Sequence, residues 1–247
     1  MLTLLTGRGN VNSLPVGDYP SNILLAGVTG STVYGLSTPA SDIDTFGIFV
    51  APLSNVLGLN SVAATSETIV FKNPQPDATF HEVGKYCRLA LQGNPTLLEL
   101  LYLPAYTVQT GAGKQLVELR EAFLSTNTVF SAYGGYALSQ AKKLAAKSNK
   151  GELVANRAAK HGRHCVRLLL QGTQLLVEGK LTLDLGVERD MVFAAGELAV
   201  SDRVEFNSFV ADKYLEMVNA VKVSILPPEP QRPLVDKWLV DTRQGSV

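Results

Sequence analysis

The chain has 247 residues, 46% of them hydrophobic and 18% charged, with 22 basic and 22 acidic side chains. That is ordinary globular composition, enough for one large domain or two small ones, and it excludes a largely disordered polymer. The formal net charge is zero, so no whole-molecule field draws in nucleic acid, and any such binding must rest on a local patch.

No apolar run approaches the roughly eighteen residues of a membrane span, and no charged-then-apolar leader follows Met1. Cys87 and Cys165 stand far apart in apolar contexts and read as buried free thiols in a reducing cytoplasm.

Residues 1–21 are rich in glycine, asparagine and proline with little periodicity and read as a loop, where Gly7-Arg8-Gly9 is either a turn or a phosphate contact. The stretch from Asn22 to Pro52 is more informative. An apolar strand, Ile23 to Val28, runs into Gly30-Ser31, and a second strand, Phe46 to Ala51, follows Ser41-Asp42-Ile43-Asp44 after a turn at Thr38-Pro39-Ala40. Side chains alternate along a strand, so Asp42 and Asp44 are expected on one side with Ile43 on the other. Two adjacent carboxylates repel unless a cation or a shared proton neutralises them. Magnesium suits such a pair, because it binds through one or two carboxylates while substrate phosphates complete its octahedron. Gly30 lets backbone approach a phosphate closely, and Ser31 with the N–H groups that open the segment to Gly35 supplies donors.

Glu67 to Phe71 reads as a third strand and Lys72 to Pro76 as a rigid turn. Asp77 to Phe80 reads as a fourth strand feeding a helix from about Glu82 to Gln92. Asn94-Pro95 signals another helix start, with Asn94 as the cap. The following TLLELLYL is apolar nearly all round, so Glu99 inside it needs either a basic partner from the cleft or an edge contact with solvent. Leu103-Pro104-Ala105 reads as the end of the strand-bearing unit, because strands stop there. Helical periodicity occupies 114–125, 128–148, 152–179, 202–223 and 233–242, with a brief extended piece at Leu181 to Leu185. The predicted architecture is α+β: a small mixed β-sheet core with helices over 1–105, then an all-helical unit over 106–247, with the cleft between them.

Eight basic residues, Lys142, Lys143, Lys147, Lys150, Arg157, Lys160, Arg163 and Arg167, fall in one stretch against Glu152 alone. Arg157, Lys160, His161, His164 and Arg167 form a stripe at helical spacing, either a clamp for polyphosphate or RNA backbone or a solvated face. Arg167, set among apolar residues, calls for an anionic partner. His161 and His164 lack companions at zinc-ligand spacing, which points to phosphate or ribose contact or to satisfied structural histidines. Tyr133 and Tyr136 either stack on a base or pack in the core. Pro227 to Pro230 is a stiff connector to a last helix that docks through Leu234, Trp238 and Leu239.

Gly30-Ser31, ten residues, then Asp42-Ile43-Asp44 on a strand resembles the signature of the DNA polymerase β-like nucleotidyltransferase superfamily. The longer string GSTVYGLSTPASDIDTFGIFVAP is similar to its RNA-repair-associated branch of bacteria and phages. So are HEVGKYCRLALQGNPTLLELLYLP, KHGRHCVRLLLQGTQLL and LPPEPQRPLVDKWL in order, covering about residues 22 to 242. The resemblance implies a third carboxylate on a neighbouring strand. Asp77 is the candidate, in competition with a plain turn-capping role after Pro76 and with Glu67 and Glu82 as weaker substitutes.

It also implies transfer of a nucleoside monophosphate from an NTP to an acceptor hydroxyl, with pyrophosphate leaving. Asp42, Asp44 and Asp77 would be the metal ligands and catalytic carboxylates for two magnesium ions, or manganese in their place. Gly30, Ser31, Lys160, His161, His164 and Arg167 would be the nucleotide and phosphate contacts. The implied acceptor is an RNA end such as a damaged tRNA, in the cytoplasm of a bacterium or a phage-infected host. Relatives that modify small molecules or proteins, and non-catalytic nucleotide- or RNA-binding modules, share the same core.

Overall fold

The computed structural model describes residues 20–39, 41–57, 68–71, 77–145 and 152–245. Most of the loop read over residues 1–21, with Gly7-Arg8-Gly9, lies outside them, as do Ala40, Glu67, the Lys72 to Pro76 turn, Lys147 and Lys150.

Five strands make one mixed sheet: β1 (Ile23–Thr29), β2 (Asp44–Phe49), β3 (Thr68–Phe71), β4 (Ala78–Glu82) and β5 (Val108–Gln109), in the order β3-β4-β2-β1-β5. β1 and β2 run antiparallel, with Thr29 opposite Asp44, while β2 and β4 run parallel, with Thr45 opposite Ala78. Period-2 alternation divides the buried side chains between the two faces. Leu25, Phe46 and Ile48 pack beneath the helices, and Ala26, Phe49, Ala78 and Phe80 form a smaller core on the other side. The sheet takes its edge strand β5 from beyond residue 105: Thr107 N and Oγ1 both donate to Ala26 O, at 2.8 and 3.0 Å, and Val108 pairs with Ala26.

The helices are α1 (Leu53–Leu57), α2 (Val83–Ala90), α3 (Pro95–Leu100), α4 (Gly111–Glu118), α5 (Thr126–Ala145), α6 (Glu152–Glu178), α7 (Arg189–Ser201), α8 (Arg203–Lys222) and α9 (Arg232–Gln244). The α+β architecture expected from the sequence, a small mixed sheet followed by helices, is the one observed. Asn94 caps α3 as its sequence predicts, its Oδ1 accepting from Thr96 N at 3.1 Å.

α6 is the spine of the helical half and packs on α5, α7 and α8. Contact with α7 is close because Gly162 faces Ala199: a Cβ at Gly162 would come within 2.6 Å of the Ala199 methyl. α7 has no counterpart among the helices predicted. The extended piece expected over Leu181 to Leu185 forms no strand; it runs irregularly past the sheet half, where Leu185 N donates to Tyr34 O at 3.3 Å. α9 docks through Trp238 and Leu239 as expected, but Val235 takes the buried place expected of Leu234, which is 48% exposed. Its Arg243 Nη2 donates to Glu82 Oε1 at 2.8 Å, while Glu82 Oε2 accepts from Gly84 N at 2.7 Å and caps α2.

A buried polar network joins the halves. Glu99 of α3 and Arg167 of α6 are each 2% exposed and meet at 2.5 Å through Oε1 and Nη1. Nη1 also donates to Gln171 Oε1 at 2.6 Å and Nη2 to His164 Nδ1 at 3.0 Å. The guanidinium carbon lies 3.8 Å from the centroid of the Tyr34 ring, and the Tyr34 hydroxyl donates to Glu99 Oε2 at 2.5 Å. The carboxylate in the apolar helix thus has the basic partner its burial demands. Burial opposes the charge on Arg167, but Glu99 and Tyr34 outweigh it and hold the guanidinium above its ordinary pKa. Burial first, and the Arg167 charge next, push the His164 imidazole down to about 3, so it stays neutral and accepts at Nδ1.

Arg167→Met strands a buried carboxylate and is expected to cost about 3–5 kcal/mol in denaturant unfolding, whereas Arg167→Met combined with Glu99→Leu recovers most of the loss. His164 gives stability a definite pH dependence. The unfolded chain takes up a proton near 6.5 and the folded one only near 3, so this contribution is full above the upper value and is lost as pH falls through the window. His164→Gln should flatten the acid limb of the stability curve in urea melts over that window.

Candidate active site

Three backbone features converge at the end of β1. The strand stops at Thr29, and the chain reverses at Gly30 with φ +74°, a conformation that L side chains rarely adopt. Gly30 also lies against the carboxylate of Asp44, where a Cβ would come within 2.6 Å of Oδ2. Conformation and space both require glycine there. Gly30 to Thr32 make a single 3₁₀ turn, closed by Val33 N donating to Gly30 O at 3.1 Å, and Leu36 N donates to Ser31 O at 2.9 Å. The first N–H groups of such a turn have no partner inside it.

The parallel ladder sets the carboxylates. Thr45 N donates to Asp77 O at 2.8 Å and Thr45 stands opposite Ala78, so Asp44 and Asp77 are level on neighbouring strands and share a face. Asp42 precedes β2 and is exposed, as is Asp77, while Asp44 is half-buried. Burial raises the Asp44 pKa; Lys160 of α6 opposes the rise, and Asp77 and Asp42 add to it. The three carboxylates and one lysine therefore act on one another across the junction of sheet and helices.

Asp42, Asp44, Asp77, Gly30, Ser31 and Lys160 are thus brought together. Of the rest of the predicted stripe, Arg157 is exposed, while His161, His164 and Arg167 turn inward along α6. His161 Nδ1 shares a 2.7 Å hydrogen bond with Gln140 Oε1, and His164 and Arg167 belong to the buried network. The phosphate contact expected of Arg167 needs correction on this point, because its guanidinium is enclosed by Glu99, Gln171, His164 and Tyr34. Tyr133 is wholly buried core, and Tyr136 is exposed, its hydroxyl accepting from Asn94 Nδ2 at 3.0 Å.

Among the described residues no three His, Cys, Asp or Glu side chains already form a metal cage. The donor set nonetheless suits a hard cation: oxygen ligands only, mutual repulsion at Asp44, and exposed Asp42 and Asp77 flanking it. A separate cavity, lined by Gln171, Gln174, Thr182, Asp184, Glu188 and Lys213, contains none of these carboxylates. Sequence reasoning missed Arg189, whose Nε donates to Gly35 O at 2.7 Å and holds the far end of the glycine turn. It stands at the first position of the unpredicted α7, where no motif marks it.

The phage T4 genome encodes an uncharacterized 38.9 kDa protein from its nrdC-mobD intergenic region that is 30% identical over 130 residues. The matched part spans 49% of this chain and 38% of the phage protein. Among solved structures, a nucleotidyltransferase-like protein from Exiguobacterium sibiricum matches over 91% of this chain and 75% of its own, at 11% identity and a TM-score of 0.28. A family model matches residues 13–218, most of the sequence and all of the glycine turn and carboxylate strands. The chain belongs to the RNA repair pathway DNA polymerase beta family.

Proposed function

We propose that this nucleotidyltransferase carries a nucleoside monophosphate from an NTP to a hydroxyl at an RNA end, such as that of a tRNA, releasing pyrophosphate. The observation that carries the reading is the level pairing of Asp44 with Asp77 beside Gly30, faced by Lys160.

Asp42, Asp44 and Asp77 are the residues that would hold magnesium, for which manganese substitutes. Bound there, such ions would supply charge neutralisation to the attacking and leaving oxygens. Gly30 admits the β- and γ-phosphates to the backbone, and the Ser31 hydroxyl donates to them. Lys160 offsets the negative charge of the polyphosphate. Asp77, exposed at the mouth of the site, accepts the proton of the acceptor hydroxyl as the new phosphoester bond forms and the bond to pyrophosphate breaks. Arg167, Glu99 and Tyr34 act indirectly: they fix α6 against the sheet and so set where Lys160 stands.

Labelled NTPs incubated with total RNA, tRNA and protein test the acceptor. Label is expected on RNA, and label on protein alone refutes the reading. Chelation should remove the transfer and manganese restore it.

Asp44→Asn should lower turnover by about a thousandfold or more, as expected when a metal ligand is lost. The same change removes a carboxylate whose raised pKa makes its ionisation costly in the fold, so the metal-free variant is expected to melt no lower than the wild type. Full activity in Asp44→Asn would sink the metal-dependent account. Gly30→Ala should also abolish transfer, because the methyl displaces the Asp44 carboxylate. In unfolding experiments its strained φ is expected to cost about 1–3 kcal/mol.

A further inference from the structure

Arg163 of α6 and Arg189 of α7 share one aromatic ring. Their guanidinium carbons lie 5.1 and 4.6 Å from the centroid of Phe193, which bounds their separation below about 10 Å. Like charges held that close repel unless an anion joins them. Arg163 is half-buried, its pKa pulled down by that burial, and it makes no hydrogen bond or salt bridge with the described residues; Glu197 acts on it only through space. Its stem is wedged over α7, where a Cβ at Gly196 would come within 2.8 Å of Arg163 Cγ. Arg189 is pinned by Gly35 O at 2.7 Å and leans on Asp190 at 3.6 Å. Both guanidiniums are therefore held in place, Arg189 with Nε and Nη1 already engaged, and a guanidinium donates well to the oxygens of a phosphate.

Position narrows the ligand. Lys160, which faces Asp44, lies one helical turn before Arg163 on α6, and Gly35, gripped by Arg189, ends the turn that begins at Gly30. The arginine pair thus stands past the carboxylates, across the glycine turn. A triphosphate at the centre already has Gly30, Ser31 and Lys160, whereas a strand leading away from the reacting end needs cations of its own on a molecule without net charge.

We infer that Arg163 and Arg189, held on Phe193, bind a backbone phosphodiester of the acceptor RNA strand. The inference rests on the RNA-end transfer proposed above.

The test compares the wild type with Arg163→Gln, with Arg163→Gln/Arg189→Gln and with Arg232→Gln, an exposed arginine on α9. The probes are a fluorescein-labelled single-stranded RNA oligonucleotide across a salt series and an NTP by calorimetry. The double variant is expected to bind the RNA about tenfold more weakly and to flatten the salt dependence by about 1.4, since each cation removed from a single strand's backbone lowers the slope by about 0.7. Arg163→Gln alone should leave NTP affinity within about twofold of wild type, because Arg163 does not touch the glycine turn, and Arg232→Gln should change neither readout.

Unchanged RNA affinity and salt slope overturn the inference while leaving RNA labelling by the wild type intact. A parallel loss of NTP affinity in Arg163→Gln also overturns it, assigning that arginine to the triphosphate. Wild type that neither binds nor labels RNA brings down the functional reading as well. Should the double variant melt early, Arg189→Gln alone carries the test, since that side chain is 46% exposed; about a threefold loss supports the inference and full RNA affinity defeats it.

Discussion

The contact on which the molecule's geometry depends is the buried pair of Glu99 and Arg167. A carboxylate in an apolar helix and a guanidinium in the longest helix of the fold are each intolerable alone, and together they fix α3 against α6 with little freedom. Tyr34 makes the arrangement three-sided by covering the guanidinium with its ring and donating to the carboxylate. It lies four residues after Gly30, so the lock that sets α6 also sets the glycine turn. The positions of Lys160, Gly30 and Asp44 relative to one another are therefore decided some distance from any of them.

Around that lock the working residues are kept in an unfavourable state. Asp44 is half-buried, crowded by two other carboxylates, and pressed against the glycine that the backbone conformation demands. None of this helps the metal-free fold. Strain and repulsion concentrated where ligands bind are the usual signature of a site shaped for something other than stability. Arg163 has the opposite sign and a similar character: a half-buried charge that makes no hydrogen bond with the described residues and feels Glu197 only through space.

Much of this was legible in the sequence because local rules and the fold agree there. Strand patterning places Gly30 at the end of β1 and Asp44 at the start of β2, although Asp42, expected on the same strand, lies before it, and Asn94-Pro95 announces a helix that forms as expected. Glu99 and Arg167 each showed as an anomaly in an apolar run. That they answer one another was not readable, since 68 residues separate them. β5 is two residues long and holds its place by pairing with Ala26, too short for any alternation to register. α7 escaped because it is built on small residues: Ala195, Gly196 and Ala199 permit close approach to Gly162 but carry little hydrophobic signal. His164 and Arg167 looked like part of a surface stripe because periodicity reports a face, not the depth at which that face ends.

The clasp between Arg243 and Glu82 closes a span of 161 residues. Helices α5 to α8, by contrast, are successive neighbours that pack on one another over short stretches of chain. Contacts of low sequence separation form early, and long loops close at an entropic cost that is recovered only when both ends are already ordered. On contact order the helical half is therefore expected to condense early. The clasp from Arg243 to Glu82, which also caps α2, is then expected to close late, on a scaffold built downstream of the sheet.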